Sequence, residues 1–74
     1  MKINGNKVDT TGIKFTSRTV TQDPIQYSAI ATVTINGSEY QGDFIGDTDD
    51  SRTDCKVGAY LSLKANCKNN GINL

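Results

Sequence analysis

The dipeptide Asn36-Gly37 constrains the fold more than any other feature of this sequence. It separates two stretches, 27–35 and 38–46, that are rich in β-branched and aromatic residues. A two-residue hairpin loop of type I′ needs a positive φ at both central positions, and Asn followed by Gly adopts such values at little cost. The sequence therefore predicts an antiparallel hairpin that turns at these two residues.

The position of the turn also determines the strand register. The expected pairs are Ile35–Ser38, Val33–Tyr40, Ala31–Gly42, Ala29–Phe44 and Tyr27–Gly46. All ten residues lie on one face of the predicted sheet, and they are mainly apolar or small. The opposite face is mainly polar, so turn chemistry and side-chain alternation favour the same architecture.

Other turn signals place further strands around this hairpin. Residues 12–21 alternate and are rich in β-branched side chains, and Pro24 ends that strand because proline cannot donate to a ladder. The central strand is then expected at 25–35. Asn4-Gly5 predicts a short hairpin of 1–3 against 6–8. The predicted fold of the single domain 1–74 is mainly all-β, a small antiparallel meander or a barrel of the SH3 or OB type.

The segment 55–67 is compatible with two structures. Ser51 followed by Asp54 matches a capping box, which favours a helix start. From Cys55 to Cys67, however, every second residue is apolar or small, which is typical of a strand. We therefore predict a strand at 55–67, with a short helix packed on the sheet, and hence an α+β fold, as the alternative.

Size and charge limit what the domain can do. Its 74 residues are 35% hydrophobic and include no Trp, so the core is small and a second layer or a partner is expected. Net charge is zero but unevenly distributed. Residues 1–22 carry four basic and one acidic residue, 23–54 carry one basic and seven acidic, and 55–74 carry three basic residues.

The residue inventory argues against catalysis. The chain contains no His, which removes the commonest general base and metal ligand. The acidic run 47–51 lacks the glycine and the bidentate glutamate of an EF-hand loop, so it is interpreted as a solvated turn. Cys55 and Cys67 would be about 40 Å apart on a strand or about 18 Å apart on a helix, too far for a disulfide. We predict a protein that is not an enzyme, with no cofactor, no metal site and two reduced thiols.

The predicted function is protein binding by surface occupation, as an inhibitor, an adaptor or a small subunit. The partner is expected to be another protein or a second copy of the chain. The predicted contact residues are the aromatics beside the small residues of the hairpin face and the acidic loop that follows: Tyr27, Tyr40, Phe44, Asp47, Asp49 and Asp50.

Single-stranded nucleic acid is the alternative partner. Tyr60 lies between Lys56 and Lys64 on one side of the predicted strand, and an aromatic ring between two cations is typical of such sites. The zero net charge counts against this interpretation, because nucleic-acid readers usually have a basic excess. No segment is apolar and long enough for a membrane, and the N-terminus does not resemble a signal peptide. A cytoplasmic location is expected.

Overall fold

Two antiparallel hairpin systems and one helix make up the computed structural model, which describes residues 1–74. The elements are β1 (Lys2–Ile3), β2 (Asn6–Lys7), β3 (Lys14–Gln22), β4 (Ile25–Ile35), β5 (Ser38–Ile45) and α1 (Arg52–Asn69). β1 and β2 form a separate two-stranded ribbon, and the other strands form a sheet in the order β3-β4-β5. The sheet is open at both edges, so the predicted barrel does not form.

The register predicted from Asn36-Gly37 is confirmed. Asn36 and Gly37 have φ values of 52° and 82°, as a type I′ turn requires. Ladder pairs run from Ile35–Ser38 through Val33–Tyr40 and Ala31–Gly42 to Ala29–Phe44. The amide of Gly46 donates to the carbonyl of Tyr27 at 3.0 Å, which completes the predicted set.

The prediction of a strand at 55–67 is wrong, and the helical alternative is correct. The buried residues Cys55, Ala59, Leu63 and Cys67 recur every fourth position. This spacing satisfies a period of two and also forms one stripe of a helix, so alternation alone could not separate the two structures. The apolar residues between them, such as Leu61, which is 48% exposed, face away from the sheet.

Local signals define both ends of α1. Ser51 Oγ accepts from the Asp54 amide at 3.1 Å, and an Asp54 carboxylate oxygen accepts from the Ser51 amide at 2.9 Å. This is the predicted capping box. At the other end, Gly71 has a φ of 75°, and the Ile72 amide donates back to Cys67 at 2.8 Å. This Schellman arrangement ends the helix and turns Ile72 toward the core.

Glycines bring α1 close to the sheet. A Cβ at Gly42 would overlap the backbone of Leu63, and a Cβ at Gly58 would overlap the ring of Phe44. The small residues of the hairpin face therefore receive the helix. The resulting core consists of Ala29, Ala31, Val33, Cys55, Ala59, Leu63 and Cys67. The second layer expected from the composition comes from the chain itself.

Candidate protein-binding face

The face of the three-stranded sheet opposite α1 has no layer packed on it. We call it the open face. Side chains alternate along a strand, so every second residue of each strand belongs to it. Its members are Lys14, Thr16, Arg18 and Val20 from β3, Ser28, Ile30, Thr32 and Thr34 from β4, and Glu39, Gln41, Asp43 and Ile45 from β5.

The ladder pairs arrange these side chains in rows across the three strands. The rows are Lys14–Thr32–Gln41, Thr16–Ile30–Asp43 and Arg18–Ser28–Ile45. Successive rows are about 7 Å apart along the strands. Beyond the last of these rows, an irregularity between Thr19 and Thr21 leaves Val20 without a partner on β4.

Charge on the open face is divided between its two edge strands. Lys14 and Arg18 lie on β3, whereas Glu39 and Asp43 lie on β5. Two strand spacings, about 10 Å, separate the cations from the anions. None of the four takes part in a side-chain hydrogen bond within the chain. Their charged groups are therefore free to meet a partner.

An apolar depression occupies the end of the open face near Ser28. Its volume is about 150 Å³, and its lining includes Arg18, Val20, Ser28, Ile30, Asp43 and Ile45. Ser28 is the small residue at its centre and is only 7% exposed, whereas Ile45 is 65% exposed and Val20 is 47% exposed. A small buried residue thus lies between larger side chains that rise on both sides.

A second depression lies at the opposite end of the same face. It has a volume of about 210 Å³ and is polar, with Lys14, Thr32, Thr34 and Glu39 in its lining. A β3 cation and a β5 anion flank it, as Arg18 and Asp43 flank the first. The open face therefore repeats one charge arrangement at both ends.

The predicted contact aromatics lie on the other side of the sheet. Tyr27, Tyr40 and Phe44 are half-buried and pack against the core beneath α1. The guanidinium of Arg52 lies 5.0 Å from the centroid of the Tyr27 ring, a cation–π distance. Tyr27 and Phe44 therefore contact this chain's own helix, at Arg52 and Gly58 respectively, and Tyr40 packs against the core.

The acidic loop leads from β5 into α1. Asp47 and Asp49 are exposed, whereas Asp50 is half-buried. An Asp50 carboxylate oxygen accepts from the Asp47 amide at 2.8 Å, so this side chain closes its own turn. The loop leaves the two exposed carboxylates available for contact with a partner.

The predicted nucleic-acid residues form one stripe of α1. Tyr60 is only 4% exposed, Lys56 is half-buried and Lys64 is exposed. A base cannot stack on a ring that the protein already covers. The helical geometry keeps the three residues together but removes the accessible aromatic surface.

The two edges of the sheet are covered differently. The side-chain amide of Asn66 donates to the Gln41 carbonyl at 2.9 Å, which covers part of the β5 edge. α1 packs mainly on β5 and β4 and only slightly on β3. The β3 edge carries Lys14 and Arg18 and ends in the irregularity at Val20, features that discourage uncontrolled strand pairing.

The two thiols are buried and unpaired. Cys55 and Cys67 are free and have no exposed surface. Burial raises the pKa of the Cys55 thiol, against the opposing effect of a hydrogen bond from the Gly46 backbone. Cys55 Sγ in turn lies 3.4 Å from the Tyr27 carbonyl, which it can donate to as a thiol. No group of three His, Cys, Asp or Glu side chains is placed to hold a metal ion.

The open face contains the residues that sequence reasoning missed. Ile30 and Ile45 were the signal, because they are the apolar exceptions among the polar residues of that face. The sequence predicts a strand at 55–67, so it does not indicate that a helix covers the hairpin face and leaves the opposite face exposed.

Comparison with known proteins gives no relative. No protein family, no curated protein and no solved structure matches this chain. No helix in the structure combines the length and the apolar character that crossing a membrane requires.

Proposed function

We propose that this chain is a small non-enzymatic protein-binding module that acts by surface occupation, as an inhibitor, an adaptor or a small subunit. The open face is the binding surface. The observation that carries the proposal is Ile45, 65% exposed beside a depression of about 150 Å³.

The arrangement of this patch supports protein binding. Apolar side chains scattered singly are common on protein surfaces, but here Val20, Ile30 and Ile45 surround one depression. Interfaces typically combine such a desolvated centre with a polar rim, and Arg18 and Asp43 supply that rim. Apolar side chains of a partner cover the depression while its charged residues meet the two edge strands.

The chemistry of the chain supports a role without catalysis. It contains no His, and its two thiols are buried in the helix–sheet interface. The carboxylates of the open face lie on a shallow surface, with no enclosed cleft to exclude water from a substrate.

A protein fits the open face better than a nucleic acid. Two cations and two anions share this face, so it offers phosphate groups no basic excess. The aromatic residue of the alternative site, Tyr60, is 4% exposed. The open face itself carries no aromatic side chain on which bases could stack.

We also propose a cytoplasmic location for the protein. Two unpaired cysteines on one helix support this, because cysteines in oxidising compartments are usually bridged.

Capture experiments with matched variants test the binding function. Tagged wild-type protein, Ile45→Asp and Leu61→Asp are used as baits in extracts of the cells that express the chain. Leu61 is the control because it is also an exposed apolar residue, at 48%, but lies on the outer side of α1. Circular dichroism first establishes that all three baits are folded.

The expected result is a protein, identified by mass spectrometry, that is retained by the wild type and Leu61→Asp but lost from Ile45→Asp. Untagged copies of this same chain count as such a protein. The proposal is wrong if nothing shows this pattern of retention and the chain also stays monomeric at high concentration.

A further inference from the structure

We propose that the partner of the open face is a second copy of this chain, stacked face to face about a two-fold axis parallel to the strands. This inference rests on the proposed function, since it uses the same face, and it adds the identity and the geometry of the partner. The inference follows from the positions of the charged residues, of Ile45 and of the apolar depression on the open face.

Two aligned arrangements are available to a pair of identical sheets. Stacked sheets keep their strands nearly aligned, so the two-fold axis is either parallel or perpendicular to the strands. An axis perpendicular to the strands places β3 over β3 and β5 over β5, which brings like charges together. An axis parallel to the strands, lying between the two sheets and midway between the two β4 strands, places β3 of each copy over β5 of the other.

The row positions make the parallel arrangement electrostatically complementary. Asp43 shares a row with Thr16, so Asp43 of each copy lies opposite Thr16 of the other. Lys14 and Arg18 stand one row to either side of Thr16, about 7 Å away along the strand. Each Asp43 therefore approaches two cations of the other copy, and the contact occurs twice in the dimer.

The apolar residues follow the same symmetry. Ile30 lies on the central strand, so the two Ile30 side chains meet at the axis. Ile45 is in the row of Arg18 and lies opposite it in the other copy, at the rim of that copy's depression. The aliphatic part of Arg18 can cover Ile45 while its guanidinium reaches Asp43. Ser28, the small residue at the centre of the depression, lies on the central strand, so the two depressions face each other across the axis with Ile45 of each copy at their rim.

The area sets the strength of this association. Three strands of about eight residues measure roughly 26 Å by 14 Å, or ~360 Å² for each copy. Stable complexes bury about 800 Å² for each partner, and smaller interfaces are typical of reversible encounters. The dimer should therefore form at high protein concentration and dissociate on dilution.

Charge reversal at Arg18 and Asp43 tests the geometry. Sedimentation equilibrium measures the self-association of the wild type, Arg18→Glu, Asp43→Lys and an equimolar mixture of the two variants, up to about 1 mM chain. Each single variant places two like-charged contacts in its own dimer, so its association should weaken about tenfold or more. In the mixed dimer both contacts between positions 18 and 43 join opposite charges, and one contact between Lys14 and the new lysine is repulsive, so association should recover most of the loss seen in the single variants. Lys64→Glu, an exposed charge change on α1, is the control and should behave as the wild type.

Each outcome decides the inference. Recovery in the mixture supports it. A wild-type protein that stays monomeric at the highest concentration overturns it, and so does a dimer that both single variants leave unchanged. If the wild type is monomeric but captures another protein through Ile45, the second-copy inference fails and the binding function stands. If the wild type neither self-associates nor captures anything, both fail.

Discussion

Gly42 of β5 lies directly beneath the backbone of Leu63 in α1, with no space for a Cβ between strand and helix. Replacing the Gly42 side-chain hydrogen by a methyl group must push the helix away from the sheet. The backbone atoms of Leu63 cannot move aside as the end of a side chain can. Gly42→Ala should therefore lower the free energy of unfolding by about 3 kcal/mol. Urea denaturation followed by circular dichroism measures this loss.

Gly46→Ala is the comparison variant for that experiment. A Cβ at Gly46 would lie 2.6 Å from Cys55 Sγ and 2.9 Å from Asp50 Cβ, both side-chain atoms. It should cost less than Gly42→Ala because its contacts are longer and the nearest atom, Cys55 Sγ, is the end of a side chain, although Asp50 Cβ is fixed to its backbone. Equal losses in the two variants would show that backbone proximity is not what makes Gly42 necessary.

Ser51→Ala should destabilise the helix start. The substitution leaves the Asp54 amide without its acceptor, and the loss of an N-cap typically costs about 1 kcal/mol. Thr53→Ala is the matched control because Thr53 is an exposed hydroxyl residue one position into the helix and has no side-chain hydrogen bond. Chemical denaturation of the two variants should separate them, and a control as unstable as Ser51→Ala would contradict the capping role.

Asn66→Ala should both weaken the fold and uncover the β5 edge. The lost bond to the Gln41 carbonyl contributes about 1 kcal/mol, and the freed backbone group becomes available to another strand. Light scattering during prolonged incubation should therefore show faster aggregation than in the wild type. Asn69→Ala, at an exposed site in the same helix, should aggregate at the wild-type rate.

The stability of the domain should fall at alkaline pH because of Cys55. Burial raises the pKa of this thiol in the folded chain, so between the ordinary pKa and the raised one the unfolded chain releases a proton that the folded chain keeps. The contribution of the Cys55 thiol to the free energy of unfolding is fully present below the ordinary thiol pKa. It is lost as the pH rises through the raised pKa of the folded chain. Unfolding midpoints measured from about pH 8 to about pH 10 should show a decline that is smaller in Cys55→Ala.

Cys67→Ala is the control for the cavity that either substitution leaves. It retains Cys55 and should therefore keep the steeper alkaline decline. The comparison uses the slope with pH and not the absolute stability, since both variants lose a fully buried side chain. Identical slopes in all three proteins would assign the decline to other groups.

Local sequence information was sufficient for the sheet. Asn36-Gly37 specified a turn type, the turn type specified the register, and Pro24 marked the boundary before β4. These inferences succeeded because the backbone of a short turn depends on the residues within it.

The helix depended on information that is not local. Residues 55–67 satisfy both periodicities, and the face that receives them contains Gly42 from another element. The capping box at Ser51 and Asp54 predicts the helix start, whereas the seven alternating residues from Cys55 to Cys67 predict a strand. Tyr27, Tyr40 and Phe44, which the sequence predicts as partner contacts, are half-buried and pack against the core.

The double periodicity of residues 55–67 has a consequence for how the chain reaches its native state. The sheet determines which conformation the segment adopts. The absence of a side chain at Gly42 lets a helical backbone pack closely on β5, and this packing favours the helix over the strand. The same peptide released from its sheet loses this packing, so its circular dichroism should show much less helix than the segment has in the whole chain.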